Sequence, residues 1–239
     1  MRRALLVPLL LILLTGCGGA SLVSRSGHPP SVRARHPRTV AVRGLIARPR
    51  RSGVVLRSRP GGPVLATLGL RGVFGDPTRL SVLARRGRWL EVTSELLPNG
   101  TDGWIEKGRG VAVSHTRYAL AVSLSAHRLD VHRSGRVVRR IRVAIGAPSS
   151  PTPTGTFAVA EKLPGPQSGA VYGCCILGLT AHQTHPPAGW SRSRRWFVAI
   201  HGGGGIGSGV SAGCLHANPA DLRYLMRTIP TGTRIRITR

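Results

Sequence analysis

From residue 39 onward, short apolar runs alternate with Gly, Pro, Asn and Ser, a pattern of strands and turns. The runs are VAVRGLIA, then 54–57, 63–68, 80–83 and 89–92, followed by an Asn99-Gly100 turn and 103–105. Strands this short at this spacing predict a small barrel between 39 and 110. Beyond Arg117 the runs lengthen to 118–124, 128–133 and 137–145, with a Ser134-Gly135 turn between the last two. Leu129 and Val131 alternate with basic neighbours, which predicts a hairpin with one buried face. One segment carries a helical period: 219–228 sets Leu222, Leu225 and Met226 on one face, with Asn218 as cap and Pro219 in the first turn. The rest of the C-terminal half reads as sheet, so the chain is expected to be mainly β.

Composition agrees with this picture. Gly (32) and Pro (18) make up about a fifth of the 239 residues, and apolar residues make up 41%, enough for a packed core. The N-terminus is different. Met1-Arg2-Arg3 precedes an apolar run over 4–14, too short to span a bilayer as a mature helix but suited to a signal-peptide core. It ends in Leu14-Thr15-Gly16-Cys17, which resembles the lipobox of bacterial lipoproteins. That resemblance implies removal of 1–16, lipidation at Cys17 and an anchor in the membrane; the bland alternative is an ordinary secretory signal with a chance cysteine. Either way the mature chain is expected outside the cytoplasmic membrane. Residues 17–38, rich in Ser, Pro, Arg and Gly, then read as a linker.

The formal net charge is +27, from 35 basic residues against 8 acidic ones, and Lys107 and Lys162 are the only lysines. Such a surplus favours polyanions. Nucleic-acid readers usually concentrate charge in a motif with interleaved aromatics, and aromatics here are only 4%, so no nucleic-acid partner is expected. An arginine bias spread along the whole chain accounts for much of the charge.

With Cys17 assigned to the leader, Cys174, Cys175 and Cys214 remain in a compartment that permits disulfides. Adjacent cysteines bond to each other only at high strain, so at least one thiol is expected to stay free. Cys174 and Cys175 also fit as small buried residues. The sharpest chemistry lies further on. An apolar strand, 196–200, ends in His201-Gly202, and a Gly-rich loop leads to Val210-Ser211-Ala212-Gly213-Cys214-Leu215-His216. A histidine that hydrogen-bonds a thiol raises its reactive fraction and later returns the proton, which makes Cys214 a candidate nucleophile and His201 its base. Alone, such a pair is as readily structural, or part of a zinc site with His216, though no Cys-x-x-Cys or spaced histidine helix supports a metal.

Several motifs in order resemble the L,D-transpeptidase catalytic domain family: Pro151-Thr152-Pro153-Thr154-Gly155-Thr156-Phe157, His201-Gly202, Ser211-x-Gly213-Cys214, and Pro230-x-Gly232-Thr233-x-Ile235-x-Ile237. The resemblance covers about 118–237 and sets a domain at 115–239. Residues 55–106, with Phe74-Gly75, Gly87 to Val92 and Pro98 to Ile105, resemble a bacterial SH3-type domain, usually a wall-binding or positioning module, in which Trp89 and Trp104 fill core or groove. The implied fold is a small SH3-like barrel followed by a β-sandwich-like catalytic domain with one short helix.

The family's chemistry implies that Cys214 attacks the amide before the terminal D-alanine of a peptidoglycan stem tetrapeptide, releases D-alanine and forms a thioester. An acceptor amine of a neighbouring stem then resolves it, and carbapenems typically acylate the same thiol. No cofactor and no metal are implied. Carried over, His201 is acid and base, and the Gly202 carbonyl holds its tautomer. The N–H groups of Gly213 and Cys214 are oxyanion donors, while Ser211 shapes the loop or contacts substrate. Tyr172 and His182 match the segment lining the cleft and are candidate substrate contacts, as is His216. The family usually has Arg or Asn at the position of His216, and often His where Ala212 stands. The loop from His201 to Cys214 is short and Gly-rich, so a mobile pocket is expected. Resolution by water, making an L,D-carboxypeptidase, and a catalytically decayed wall-binding lipoprotein stay open as alternatives.

Overall fold

The computed structural model describes residues 39–41, 43–165, 169–191 and 195–239. The expected leader (1–16), the lipidation site Cys17 and the linker (17–38) lie outside the described residues. Among the described residues no helix is long and apolar enough to cross a membrane.

The first sheet contains β1 (Val40–Ala41), β2 (Leu45–Pro49), β3 (Val54–Arg57), β4 (Val64–Leu68), β5 (Leu80–Arg86), β6 (Trp89–Val92), β7 (Gly103–Glu106) and β8 (Val111–His115). Its order is β4-β3-β7-β6-β5-β2-β8, with β1 paired to β5. Leu56, Leu80, Val82, Leu90 and Ile105 form its core. The sheet continues past residue 110, because β8 pairs with β2 from Val111 to His115. Only Val111 of that strand is buried, so β8 carries too little alternation to be read as a strand from sequence.

The second sheet is built from β9 (Tyr118–Ser123), β10 (Arg128–Arg133), β11 (Arg136–Arg142), β13 (Gly155–Pro164), β14 (Cys175–His182), β15 (Phe197–His201), β17 (Leu215–His216) and β18 (Arg234–Thr238). A separate pair joins β12 (Ile145–Gly146) to β16 (Gly209–Ser211). The order β11-β10-β9-β18-β13-β14-β15-β17 threads the C-terminal strand between β9 and β13. Every residue of β14 is buried, as a central strand covered on both faces requires. Helix α1 (Pro219–Thr228) packs on that strand through Leu222 and Leu225. It starts where Asn218 accepts from the Asp221 N–H at 2.9 Å, and Asp221 is paired in turn to Arg139 of β11 at 2.6 Å.

The two sheets form one compact unit with a hydrogen-bonded seam. Glu161 of β13 is 2% exposed and accepts from the Phe74 N–H (2.8 Å) and the Asp76 N–H (3.4 Å). The Asp76 carboxylate accepts from the Lys162 N–H at 2.7 Å. Asn99 exchanges two hydrogen bonds with the His182 backbone, at 2.7 and 2.8 Å. Arg234 donates to the Val82 carbonyl at 2.7 Å. The Glu161 and Asp76 contacts hold the loop around Phe74 against the second sheet.

Candidate active site

β15 and β17 run parallel with Ile200 opposite Leu215 and His201 opposite His216. The strand register therefore sets Cys214, just before β17, beside Ala199, whose N–H is directed at the sulfur. His201 and Cys214 become neighbours across one strand pair because alternate residues of a strand share a face. Thirteen residues of intervening chain matter less than this register.

His201 is buried, and its Nδ1 donates to the Gly202 carbonyl at 2.5 Å. A carbonyl can only accept, so the proton is on Nδ1 and the lone pair on Nε2. Burial pushes the His201 pKa down to about 4; nearby His216 adds to this and the Gly202 bond opposes it. Burial pushes the Cys214 thiol up, against the Ala199 N–H. The resting pair is thus a neutral thiol beside a neutral imidazole. The rings of Tyr172 and His216 each lie 4.9 Å from the His201 ring, so the imidazole has two ring neighbours.

The Gly-rich loop, expected to form a mobile pocket, is hydrogen-bonded at several points. Gly202 N–H donates to the Tyr172 carbonyl (2.8 Å), His216 Nδ1 donates to Gly204 O (2.9 Å), and Gly207 N–H donates to Val143 O (3.1 Å). Ser208 closes a turn on Gly205 O, and its own carbonyl accepts from Ile145. A side chain at Gly203 would run into the His216 ring, which ties the short loop to its glycine composition.

Ser211 organises the turn before the thiol: its Oγ donates to the Cys214 carbonyl at 2.6 Å and accepts from the Gly213 N–H at 3.0 Å. This corrects the expectation for Gly213. Its N–H is committed inside the turn, which leaves the Cys214 N–H as the carried-over donor for an oxyanion. Gly213 has φ 111°, and a Cβ there would lie 2.0 Å from Gln183 Nε2. A Gly213→Ala change therefore forces both backbone strain and a clash, costing about 1–3 kcal/mol. Its melting temperature should fall by roughly 2–4 °C per kcal/mol in a thermal scan, together with slower acylation of Cys214.

Gln183 was not singled out from the sequence, yet it braces the site. Its Nε2 donates to Ala212 O at 2.7 Å and also faces Ser150 O and Pro151 O, at 3.2 and 3.3 Å. The 151–157 motif is thereby held against the thiol's own turn. A polar residue directly after an unbroken buried strand was the one available signal. His182, expected as a substrate contact, lies in the seam: its Nε2 donates to Glu95 O at 2.8 Å, its ring packs on Phe197, and burial lowers its pKa. Tyr172 and His216 both set their rings beside His201, and Tyr172 also lines the cavity next to Cys214. Among the described residues no group of three or more His, Cys, Asp or Glu side chains is arranged to hold a metal ion.

The family model described as the L,D-transpeptidase catalytic domain, YkuD, matches residues 117–237, half of the chain. The chain belongs to the L,D-transpeptidase catalytic domain family. YkuD of Bacillus licheniformis, provisionally named an L,D-transpeptidase, is 27% identical over 152 residues, covering 59% of this chain and 81% of the relative. L,D-transpeptidase 1 of Mycobacterium tuberculosis is 29% identical over 129 residues, covering 48% of each chain. The solved L,D-transpeptidase of Mycobacterium smegmatis superposes with a TM-score of 0.40 at 18% identity, over 60% of this chain and 76% of that one.

Within this L,D-transpeptidase domain, a cavity of about 270 Å³ opens beside Cys214. The chain has ten aromatic residues, from 4 Trp, 3 Tyr and 3 Phe. Five of them (Phe74, Tyr172, Trp190, Trp196 and Phe197) line this cavity, and among the described residues no charged one does. Phe74 arrives from the first sheet and meets Phe197 edge-on at 5.5 Å. The seam thus gives the cavity beside Cys214 a wall from outside the matched domain, which sequence could not reveal because Phe74 is read there only as part of the SH3-type stretch. Cys174 and Cys175 are disulfide-bonded to each other, replacing the expectation of small buried thiols, and Cys214 is the free cysteine among the described residues.

Proposed function

We propose that this chain is an exported, lipid-anchored peptidoglycan L,D-transpeptidase with Cys214 as nucleophile and His201 as general base and acid. The observation that carries the reading is the His201 Nδ1 bond to Gly202 O, which leaves the Nε2 lone pair for the thiol on the neighbouring strand. Cys214 Sγ attacks the carbonyl preceding the terminal D-alanine as its proton passes to His201 Nε2. The oxyanion accepts from the Cys214 N–H. The imidazolium then protonates the leaving D-alanine nitrogen, and a thioester remains. The acceptor amine attacks the thioester carbonyl and gives its proton to Nε2, from which the departing sulfur recovers it. The proton count closes with no cofactor.

Neutral partners suit this cycle, because the proton moves with bond formation and the low His201 pKa keeps the imidazole unprotonated at neutral pH. Tyr172, His216 and the aromatic cavity are the substrate-facing groups of this reading. In it, the first sheet is an SH3-like module that positions the enzyme on the wall and supplies Phe74, and Cys17 carries the anchor. Phe74→Ala is expected to lower kcat/KM for the donor stem roughly three- to tenfold, the scale of one aromatic contact, without loss of fold.

Incubation of the protein with purified disaccharide-tetrapeptide tests the proposal. Cross-linked dimer with release of D-alanine is the expected product. Tripeptide without dimer would assign an L,D-carboxypeptidase, and folded protein yielding neither would indicate a decayed domain.

A further inference from the structure

A second cavity, of about 620 Å³, lies where the two sheets meet at the start of β9. It shares no lining residue with the cavity at Cys214. In the sheet order, β18, β13 and β14 separate β9 from β15, so the two sites are about 19 Å apart at ordinary strand spacing. Arg43, Arg117, Arg234 and His132 line it, and among the described residues no acidic one does. Arg43 and Arg234 are close enough to repel: burial and the Arg43 charge both lower the Arg234 pKa, and Asp102 partly offsets them from outside the lining.

The cavity opens onto a trough along β9. Cross-strand register sets Arg236, Ala121, Asp130 and Arg140 in one row, and Thr238, Ser123, Arg128 and Arg142 in the next. The floor, Ala119, Ala121 and Ser123, is made of small residues, while arginines of β18 rise on one side and arginines of β10 and β11 on the other. Arg128 faces Arg142 directly, a like-charge pair that costs sheet stability. Asp130 is the one carboxylate in these rows, already paired to Arg128 at 3.0 Å. An arginine bias alone would scatter charge over the surface; here it converges on a cavity whose described lining holds no acid and on a trough in which Asp130, paired to Arg128 at 3.0 Å and within 4.0 Å of Arg140, is outnumbered.

We propose that this cavity and trough bind a linear phosphodiester polymer, the negative charges lying along β9 between the two arginine banks. Concave sites of one sign concentrate counter-ions, and the guanidinium fork matches the oxygens of a phosphodiester, which stays ionised at all physiological pH. The described lining offers little for bases to stack on: its two rings are Tyr118, which already carries Arg133 over its face at 5.9 Å, and the half-buried His132. The cavity shares no described lining residue with the Cys214 site, although the far end of the trough, at Arg142, reaches Gly207 of the Gly-rich loop.

Binding of labelled poly(glycerol phosphate) to the full chain, followed by anisotropy over a salt series, tests this. Arg43→Gln/Arg117→Gln/Arg236→Gln should weaken binding tenfold or more and make the salt dependence shallower by about 2 to 3 in the log–log slope. The control Arg51→Gln/Arg59→Gln/Arg109→Gln, which removes equal charge from the first sheet's exposed surface, should weaken it less than threefold. Both variants should retain the wild-type rate of Cys214 acylation. Equal losses in both variants, no binding by the wild-type chain, or tighter arginine-dependent binding to anionic phospholipid vesicles than to the polymer would each overturn the proposal.

Discussion

Cys214→Ala protein, mixed with stem tetrapeptide, is expected to release no D-alanine and to form no cross-link. Loss of a covalent catalyst's nucleophile removes roughly a millionfold of rate. Cys214→Ser keeps the shape but offers a hydroxyl, whose proton His201 at a pKa of about 4 is a poor base to remove, so the serine variant should also fall below detection. Both variants should fold, because the turn is held by Ser211 and Gln183 rather than by the sulfur. Chromatographic assay of free D-alanine and a thermal scan separate loss of chemistry from loss of structure. Turnover in the alanine variant would remove Cys214 from the mechanism.

His201→Ala should slow thioester formation by about 10²–10⁴, the range for a positioned general base. The pH profile carries a sharper signature. With the imidazole pKa at about 4, the acid limb of kcat/KM should sit near pH 4 rather than near the usual histidine value, and it should vanish in the variant. Stability follows the same proton. The folded pKa lies below the unfolded one of about 6.5, so the unfolded chain binds an extra proton between the two values. The wild type should therefore lose stability as pH falls from about 6.5 to 4, by on the order of 3 kcal/mol, and this component should be missing in His201→Ala. Denaturant titrations across that window measure it. An acid limb unchanged by the mutation would assign the base elsewhere.

Much of this architecture was legible because it is local. β3, β6, β10 and α1 fall where alternation, turn residues and the Asn218 cap put them. The family was legible as an ordered set of motifs, and the placement of His201 and Cys214 follows from the parallel register of β15 with β17. What sequence did not reveal is tertiary. His182 matches a cleft segment, yet its imidazole turns to Glu95 across the seam, and no local pattern encodes which face of a fully buried strand meets another sheet. Gln183 and Phe74 acquire their roles from residues 29 and more than a hundred positions away. The Gly213 N–H was assigned outward by analogy, while the Ser211 hydroxyl two residues upstream takes it. The glycine loop reads as mobile from composition, which does not encode the bonds from Gly202 to the Tyr172 carbonyl and from Gly207 to the Val143 carbonyl that tie it to neighbouring chain.

The central claim is that one thiol, activated by His201, accepts an acyl group. Intact-mass measurement of the full chain after exposure to a carbapenem, followed by proteolytic mapping, tests it most directly. The account predicts a single adduct located on Cys214, formed much more slowly in His201→Ala and absent in Cys214→Ala. An adduct on another residue, or none on folded wild-type protein, would contradict it.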